Sequence, residues 1–151
     1  MPLTLRAASS ADAHIIVDFN QKLAQETEGK MLDPGLLSRG VAALLGDPAK
    51  GRYFLAEEDG VILGQAMVTF EWSDWRNGWI WWVQSVYVRV DARRKGVFRS
   101  LYEHLKKTAD MEAQAVALRL YVERDNLVAQ KTYASLGMSP TSYLIMERCP
   151  L

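Results

Sequence analysis

The clearest candidate for chemistry in this sequence is a basic cluster followed by a glycine, Arg93-Arg94-Lys95-Gly96. It lies between a strand predicted over residues 79–88 and an amphipathic segment predicted from Gly96 to about Ala113, so it falls on a strand-to-helix turn. A helix N-terminus presents unbonded N–H groups and the positive end of the helix dipole. The turn is therefore predicted to bind an anion such as a phosphate. The glycine spacing of a nucleotide P-loop is missing, which excludes that kind of phosphate site.

A second candidate combines tryptophans with a carboxylate. All five tryptophans fall within EWSDWRNGWIWW, residues 71–82, which begins with Glu71. An indole face attracts a cation, and a nearby carboxylate strengthens that attraction. We therefore predict that Trp72, Trp75 and Trp82 build part of a pocket for a cation beside Glu71. Because strand residues alternate between the two faces of a sheet, at least two of the five indoles are expected in the core instead.

The composition argues against several classes of partner and location. The chain has 151 residues, and 18 Lys and Arg balance 18 Asp and Glu. This balance gives no evidence for a nucleic-acid or membrane partner. Its one cysteine, Cys149, cannot form a disulfide within the chain, and no apolar run reaches the ~18 residues of a membrane span. The length is that of a single domain, which we expect over residues 1–151. The N-terminus lacks the features of a secretion signal, so we expect a cytoplasmic protein.

The elements that position these residues follow from apolar spacing and turn signals. The predicted order is β-α-α-β-β-β-α-β-α-β, an α/β (α+β) fold with a mixed, mostly antiparallel sheet of about six strands flanked by about four helices. Asp33-Pro34 is typical of a helix start, and Asp59-Gly60 and Asn77-Gly78 are typical of hairpin turns. The last strand is expected in YLIMER, residues 143–148.

Two stretches resemble the motifs of one known family. VYVRVDARRKGVFRSL resembles the acetyl-CoA motif of the GNAT family of N-acetyltransferases, with Arg93 and Gly96 matching and Phe98 standing where the family has Gly or Ala. LYVERDNLVAQKTYASLGM resembles the second cofactor motif of that family. Its matching positions are Asn126, Ala129, Tyr133, Leu136 and Gly137. The chain is identified on these motifs as a member of the GNAT family, with the GNAT fold.

The resemblance implies acetyl-CoA as co-substrate and no metal. It pairs the backbone of residues 86–88 with the pantetheine arm, as an added strand would pair. It also places the pyrophosphate on the N–H groups from Arg94 to Arg99. The implied cofactor-binding residues are Val86, Tyr87, Val88, Arg93, Arg94, Lys95, Gly96, Val97, Phe98, Arg99 and Asn126.

The resemblance also makes Tyr133 the acid that protonates the departing CoA thiolate. The phenol pKa near 10 is only slightly above the value of about 8.5 for a thiol, so this transfer costs little. The attacking amine must first lose a proton, and Gln84 stands where some relatives have a glutamate. Glu71 is the best available base candidate, with Asp74 the other nearby substitute and Glu26 and Glu28 next in line. The candidates for acceptor binding are Trp72, Trp75, Trp82, Gln84, Glu26 and Glu28.

The implied activity is acetyl transfer to a small cationic amine, an amino acid or a peptide amine. Direct attack in a ternary complex is expected, since Cys149 is badly placed as an acyl carrier. Two alternatives stay open. Phe98 and Gln84 would suit a non-catalytic, regulatory acyl-CoA-binding module, and an acyltransferase could instead use a longer acyl chain. A homodimer is a further expectation, because relatives often associate through sheet edges or C-terminal strands.

Overall fold

The computed structural model describes residues 2–151. The chain forms two compact units, one extending to Tyr121 and the other covering Val122–Leu151. The first unit contains a single sheet whose strand order follows the chain. Its strands are β1 (Thr4–Ala7), β2 (Arg52–Glu58), β3 (Val61–Ser73), β4 (Gly78–Val88) and β5 (Ala115–Leu120). Neighbouring strands are antiparallel except for β4 and β5, which are parallel.

Three helices of the first unit connect these strands: α1 (Ala13–Glu28), α2 (Pro34–Leu45) and α3 (Val97–Met111). The start of α2 confirms the predicted signal, because Asp33 Oδ1 accepts the Leu36 N–H over 2.9 Å and Pro34 is the first helical residue. Proline suits this position since it has no N–H to leave unbonded. Among residues 2–151, no helix is both long and apolar enough to cross a membrane.

The sheet has an apolar core on each face, which the alternation along β2 makes clear. Phe54 and Ala56 are buried in one core with Leu101 and Leu105 of α3. Tyr53 and Leu55, on the opposite face, are buried with Ile16 of α1 and Val41 of α2. Each large apolar side chain buried in this way contributes about 1.5–3 kcal/mol. The sheet is therefore held between α3 on one face and α1 with α2 on the other.

The predicted hairpin turns are confirmed. Asp59 and Gly60, between β2 and β3, have φ values of 51° and 77°, and Asn77, before β4, has a φ of 49°. Asparagine, aspartate and glycine tolerate this left-handed conformation better than other residues, which is why these dipeptides mark tight hairpins.

The second unit contains α4 (Leu127–Ser135), followed by residues without regular secondary structure. The sixth strand expected over residues 143–148 is absent from the described chain, where the sheet has five strands. Leu144, Ile145 and Met146 are exposed instead. An apolar pattern predicts that a segment can form a strand, but a strand also needs a neighbour to bond its backbone, and the pattern does not supply one.

Candidate active site

Strand β4 contains a bulge at Ser85 and Val86, where two of its residues face the single residue Ala66 of β3. Ser85 has a φ of 51°, in the left-handed region that residues other than glycine rarely adopt. A bulge bends a strand and changes which residues point to each face. Tyr87 consequently packs on Phe19 of α1, with the ring centroids 4.9 Å apart. Uninterrupted alternation from the start of β4 would have turned Tyr87 toward α3.

A buried polar network supports this bulge. The Nε2 of Gln65, on β3, donates to the Ser85 carbonyl over 3.0 Å and to Asn20 Oδ1 over 2.9 Å. Asn20 Nδ2 donates in turn to the Tyr53 hydroxyl over 2.9 Å. Among the described residues, nothing donates to the buried Oε1 of Gln65. The network fixes the Ser85 carbonyl.

Beyond the bulge, β4 has an open edge. Its parallel pairing with β5 runs from Trp79 to Val83 and stops there. Its antiparallel pairing with β3 continues as far as Val88. Within the described chain, the backbone groups of residues 86–88 that point away from β3 thus face no paired strand. An extended molecule that carries amide groups fits such an edge.

The open edge leads into the predicted anion site. Arg94 and Gly96 both have left-handed backbones, with φ values of 63° and 80°, and α3 begins at the next residue. The Ser100 N–H bonds to the Gly96 carbonyl over 3.0 Å, so the preceding amides of the first turn have no partner inside the helix. Arg94 and Lys95 are exposed beside them. Outward amides, the helix dipole and two cations together suit a phosphate group.

Arg93 has a different role from its basic neighbours. Its Nε donates to the Val88 carbonyl over 2.9 Å, and its Nη2 donates to both carboxylate oxygens of Glu26 over 3.0 and 2.8 Å. Its guanidinium also lies 5.5 Å from the centre of the Tyr87 ring. Arg93 therefore ties the C-terminal end of α1 to the open edge of β4. Glu26, which was predicted to bind the acceptor, is engaged in this link.

A cavity of about 460 Å³ lies between α2, α1 and the sheet. Asn20, Tyr53 and Ser85 form its polar end, and side chains from α2, mostly leucines, form an apolar wall. Ser85 belongs to both the cavity and the β4 bulge. The cavity therefore reaches the segment of β4 whose edge is open. We call it the acceptor cavity below.

Glu71 lies farther along β3 on the same face of the sheet. Its carboxylate accepts a hydrogen bond from the Trp82 indole Nε1 over 2.9 Å. The Trp82 ring stacks on Tyr121, with centroids 4.6 Å apart and planes inclined by 22°. Glu71 is four residues from Met67, which lines the acceptor cavity, so their Cα atoms lie about 13 Å apart along the strand. Glu71 is thus on the correct face but at a distance from the cavity.

Gln84 lies beside the acceptor cavity, on the face of the sheet that carries Glu71. It is opposite Met67 in the strand register. Its Nε2 donates to Thr69 Oγ1 over 2.6 Å. This pair gives the sheet face a neutral polar surface between the cavity and the carboxylate. An amide has no usable basicity, so Gln84 can orient a ligand but cannot take its proton.

Comparison with known proteins decides the family. The model of the acetyltransferase (GNAT) family matches residues 18–138. The chain belongs to the GNAT acetyltransferase family. Its structure is similar to that of a "possible acetyltransferase" from Clostridium difficile 630, with 43% sequence identity and a TM-score of 0.93. That match covers 100% of this chain and 99% of the other.

Two more distant structures share the GNAT fold. A predicted acetyltransferase from Clostridium acetobutylicum, solved with acetyl-CoA, has 17% identity and a TM-score of 0.80, over 97% of this chain and 96% of that one. A ribosomal-protein-alanine N-acetyltransferase from Brucella melitensis biovar Abortus 2308 has 21% identity and a TM-score of 0.77, over 97% and 100%. No curated protein gave a significant sequence match. The predicted fold class is confirmed, with five strands in place of about six.

Phe98 is the one position of the first GNAT motif that departs from the family pattern. Its ring is half-buried, and its centroid lies 6.4 Å from that of Tyr102, one turn farther along α3. The phenyl group is thus accommodated along the flank of the helix. This orientation is compatible with a phosphate at the amides of the first turn.

The tryptophans of this GNAT chain do not form one cluster. Trp82 lies on the face of Glu71, whereas Trp81 is 2% exposed in the core against α3. Trp72 also lies on the α3 face, because adjacent strand residues point to opposite faces. Trp75 is 91% exposed in the turn between β3 and β4. The predicted grouping of Trp72 and Trp75 with Glu71 therefore needs correction, and only Trp82 among the described tryptophans contacts that carboxylate.

The second GNAT motif lies in the second unit. Asn126 Oδ1 accepts the Ala129 N–H over 3.0 Å and so caps α4. Tyr133 lies on the same helix and is partly buried, and burial raises the pKa of its phenol above the ordinary value of 10.0. A raised pKa keeps the proton on the phenol at neutral pH. Glu28, another predicted acceptor residue, is exposed at the end of α1.

The sequence analysis missed the residues that shape the acceptor cavity and the bulge. Gln65 lies in an otherwise apolar stretch of β3, and Asn20 follows Phe19 on α1. A polar residue among core positions is a usable signal, since such a group must find a partner when it is buried. Gly40, in the middle of α2, was a second signal, because glycine is unfavourable inside a helix.

Proposed function

We propose that this GNAT protein is an acetyl-CoA-dependent N-acetyltransferase that acetylates a primary amine by direct attack. The observation that carries this proposal is Ser85, which lines the acceptor cavity and belongs to the bulge where the β4 edge opens. A thioester held along that edge would meet an amine held in the cavity. Cys149 is exposed near the C-terminus and takes no part in the reaction.

The described residues fit acetyl-CoA. Backbone amides of residues 86–88 can pair with the pantetheine arm along the open edge. The first turn of α3, with Arg94 and Lys95, suits the pyrophosphate. Asn126 uses Oδ1 for the cap of α4, so its Nδ2 is the group that would donate to a pantetheine carbonyl. Arg93 acts indirectly, by holding the Val88 carbonyl.

The reaction requires three proton transfers. An ammonium group near pKa 10.4 must lose a proton before its nitrogen can attack the thioester carbonyl. We assign this proton to Glu71, reached through water because of its distance from the cavity. The new C–N bond forms as the C–S bond breaks, and Tyr133 gives its proton to the leaving thiolate. The nitrogen is positively charged after the attack and loses a second proton through water, which restores the phenol of Tyr133. The products are an N-acetylated amine and free CoA, and Glu71 releases its proton to solvent.

The test is a screen of amine classes with acetyl-CoA, followed by the release of free thiol. We expect turnover with at least one amine, and a decrease of about 10²-fold in kcat for Tyr133→Phe with little change in acetyl-CoA affinity. Tight acetyl-CoA binding without turnover of any amine would favour the regulatory module instead. Competition by longer acyl-CoA molecules would identify a longer acyl donor.

A homodimer is compatible with the exposed sheet edge. β5 is the last strand of the sheet, and Val116 on it is 44% exposed. Unpaired edges with apolar side chains are common sites of association. Light scattering after size-exclusion chromatography tests this, and a monomeric mass at micromolar concentration would contradict it.

A further inference from the structure

The acceptor cavity has little charge for a site that must bind an amine. In the lining that residues 2–151 provide, Asp33 is the one charged residue, and its Oδ1 is bonded to the Leu36 N–H. The polar atoms at the sheet end belong to neutral groups, including the Tyr53 hydroxyl and Asn20. A second ammonium group buried in the cavity would lack a counter-ion, which is strongly unfavourable. The lining is therefore poorly suited to diamines and polyamines.

The rest of the cavity lining favours an acceptor whose body, the part that does not react, is apolar. Leu36, Leu37, Val41 and Leu44 line the cavity from α2, and Met67 lines it from β3. Leu36 is 64% exposed even though it faces a cavity. Covering such side chains with an aliphatic or aromatic group removes apolar surface from water, which is the main source of affinity in small-molecule sites.

Gly40 enlarges this apolar part of the cavity. It lies in the middle of α2 and belongs to the lining. A Cβ atom added at Gly40 would meet no atom within 4 Å apart from the adjoining backbone of α2, so packing against the rest of the protein does not require glycine there. Glycine is less favourable than alanine or leucine inside a helix. The missing side chain thus weakens the helix and leaves space in the cavity.

From these observations we propose that the acceptor is a small primary amine on an uncharged aliphatic or aromatic body, and that Gly40 sets the size of the body accepted. This inference rests on the proposed function, since it names the substrate class of the same site. The amine lies at the Ser85 end, next to the open edge of β4, and the apolar body lies against α2.

The experiment compares 2-phenylethylamine and isoamylamine with putrescine and spermidine. We expect kcat/KM to be about ten-fold or more higher for the two apolar amines. Gly40→Ala, Gly40→Leu and Gly40→Phe should lower kcat/KM for 2-phenylethylamine in a graded way, by about ten-fold or more for leucine and phenylalanine, mainly through KM. Acetyl-CoA affinity and thermal stability should not fall, because each substitution improves the helix.

The matched control is Ala42→Leu, which adds the same side chain to an exposed position of α2 outside the cavity lining. It should leave the kinetics of every amine unchanged. A preference for polyamines would overturn the proposal. So would an unchanged KM for 2-phenylethylamine in Gly40→Phe, provided that the variant is folded as judged by its melting temperature.

Calorimetric titration of 2-phenylethylamine into the protein with CoA tests the cavity inference independently of the proposed enzymatic activity. If the amine binds wild type but not Gly40→Phe, and no amine is acetylated, the cavity inference stands and the enzymatic proposal fails. If other amines are acetylated while 2-phenylethylamine neither binds nor reacts, the cavity inference fails and the enzymatic proposal stands. If no amine binds or reacts, both fail.

Discussion

The Nε2 of Gln65 donates to the carbonyl oxygen of Ser85 over 3.0 Å, so a side chain of β3 supports the bulge in β4. Gln65 is fully buried, and its second donated bond, to Asn20, connects the bulge to α1. The shape of the open β4 edge therefore depends on the buried side-chain amide of Gln65. This relationship connects the proposed acceptor site with the proposed cofactor site.

Replacing Gln65 by methionine should weaken both stability and cofactor binding. The variant leaves the Ser85 carbonyl and Asn20 Oδ1 without their donor, which should lower the free energy of unfolding by about 2 kcal/mol. Acetyl-CoA affinity should fall as well, because the bulge loses its support. Urea denaturation and calorimetry measure the two effects. The control is Leu105→Ala, a core change in α3 of similar or larger cost. If Gln65→Met weakened acetyl-CoA binding no more than this control, the positioning role would be wrong.

Arg93→Lys should keep the positive charge but lose the hydrogen-bond geometry of the guanidinium. A lysine cannot bond the Val88 carbonyl and both Glu26 oxygens together, so acetyl-CoA affinity should fall about five-fold. Because Arg93 is already paired with Glu26, removing its charge in Arg93→Gln should leave the salt dependence of binding unchanged. Arg94→Ala, in contrast, should reduce that salt dependence, since Arg94 is exposed at the anion turn. A salt dependence altered equally by Arg93→Gln and Arg94→Ala would show that Arg93 contacts the phosphates.

Glu71→Gln tests the proton acceptor. The amide oxygen can still accept the Trp82 indole hydrogen bond, so the local structure should persist while the basic group is lost. We expect kcat/KM for the amine to fall about 10²-fold, with acetyl-CoA affinity unchanged. Asp74→Asn, which removes an exposed carboxylate from the nearby turn, is the matched control. If Glu71→Gln left turnover and its pH profile unaltered, another group or water would have to take the proton.

A separate pH effect is expected where β1 meets α1. Arg6 donates to both carboxylate oxygens of Asp12 over 3.0 and 2.9 Å and lowers the pKa of that carboxyl from 3.8 to about 2. Since the folded pKa lies below the unfolded one, the charged form stabilises the fold above about pH 4 and this stabilisation disappears as the pH falls through about 2. Asp12→Asn should therefore lose at most about 2 kcal/mol at pH 7 and less in acid.

Urea denaturation of wild type and Asp12→Asn between neutral and acidic pH measures this difference. Asp110→Asn, which breaks an exposed pair with Lys106, is the control and should change stability little at any pH. A difference between wild type and Asp12→Asn that stayed constant into strong acid would contradict the assignment to this ion pair.

The sequence by itself determined the parts of this protein that depend on local backbone chemistry. The Arg93–Gly96 turn, the Asp33-Pro34 helix start and the Asp59-Gly60 hairpin were each predicted where they occur. Such features can be predicted from the sequence because helix caps and tight turns are determined by hydrogen bonds and φ preferences within a few residues. The two GNAT motifs are local in the same sense, and they were sufficient to predict the family.

The tertiary structure decided the features that depend on distant residues. The bulge at Ser85 reversed the face of Tyr87, which no alternation rule could predict because Gln65 stabilises the bulge from another strand. The acceptor cavity forms where α2, with Gly40 in the lining, lies across from the sheet. Each of these depends on register and packing between elements, and that information is not contained in any single segment of the sequence.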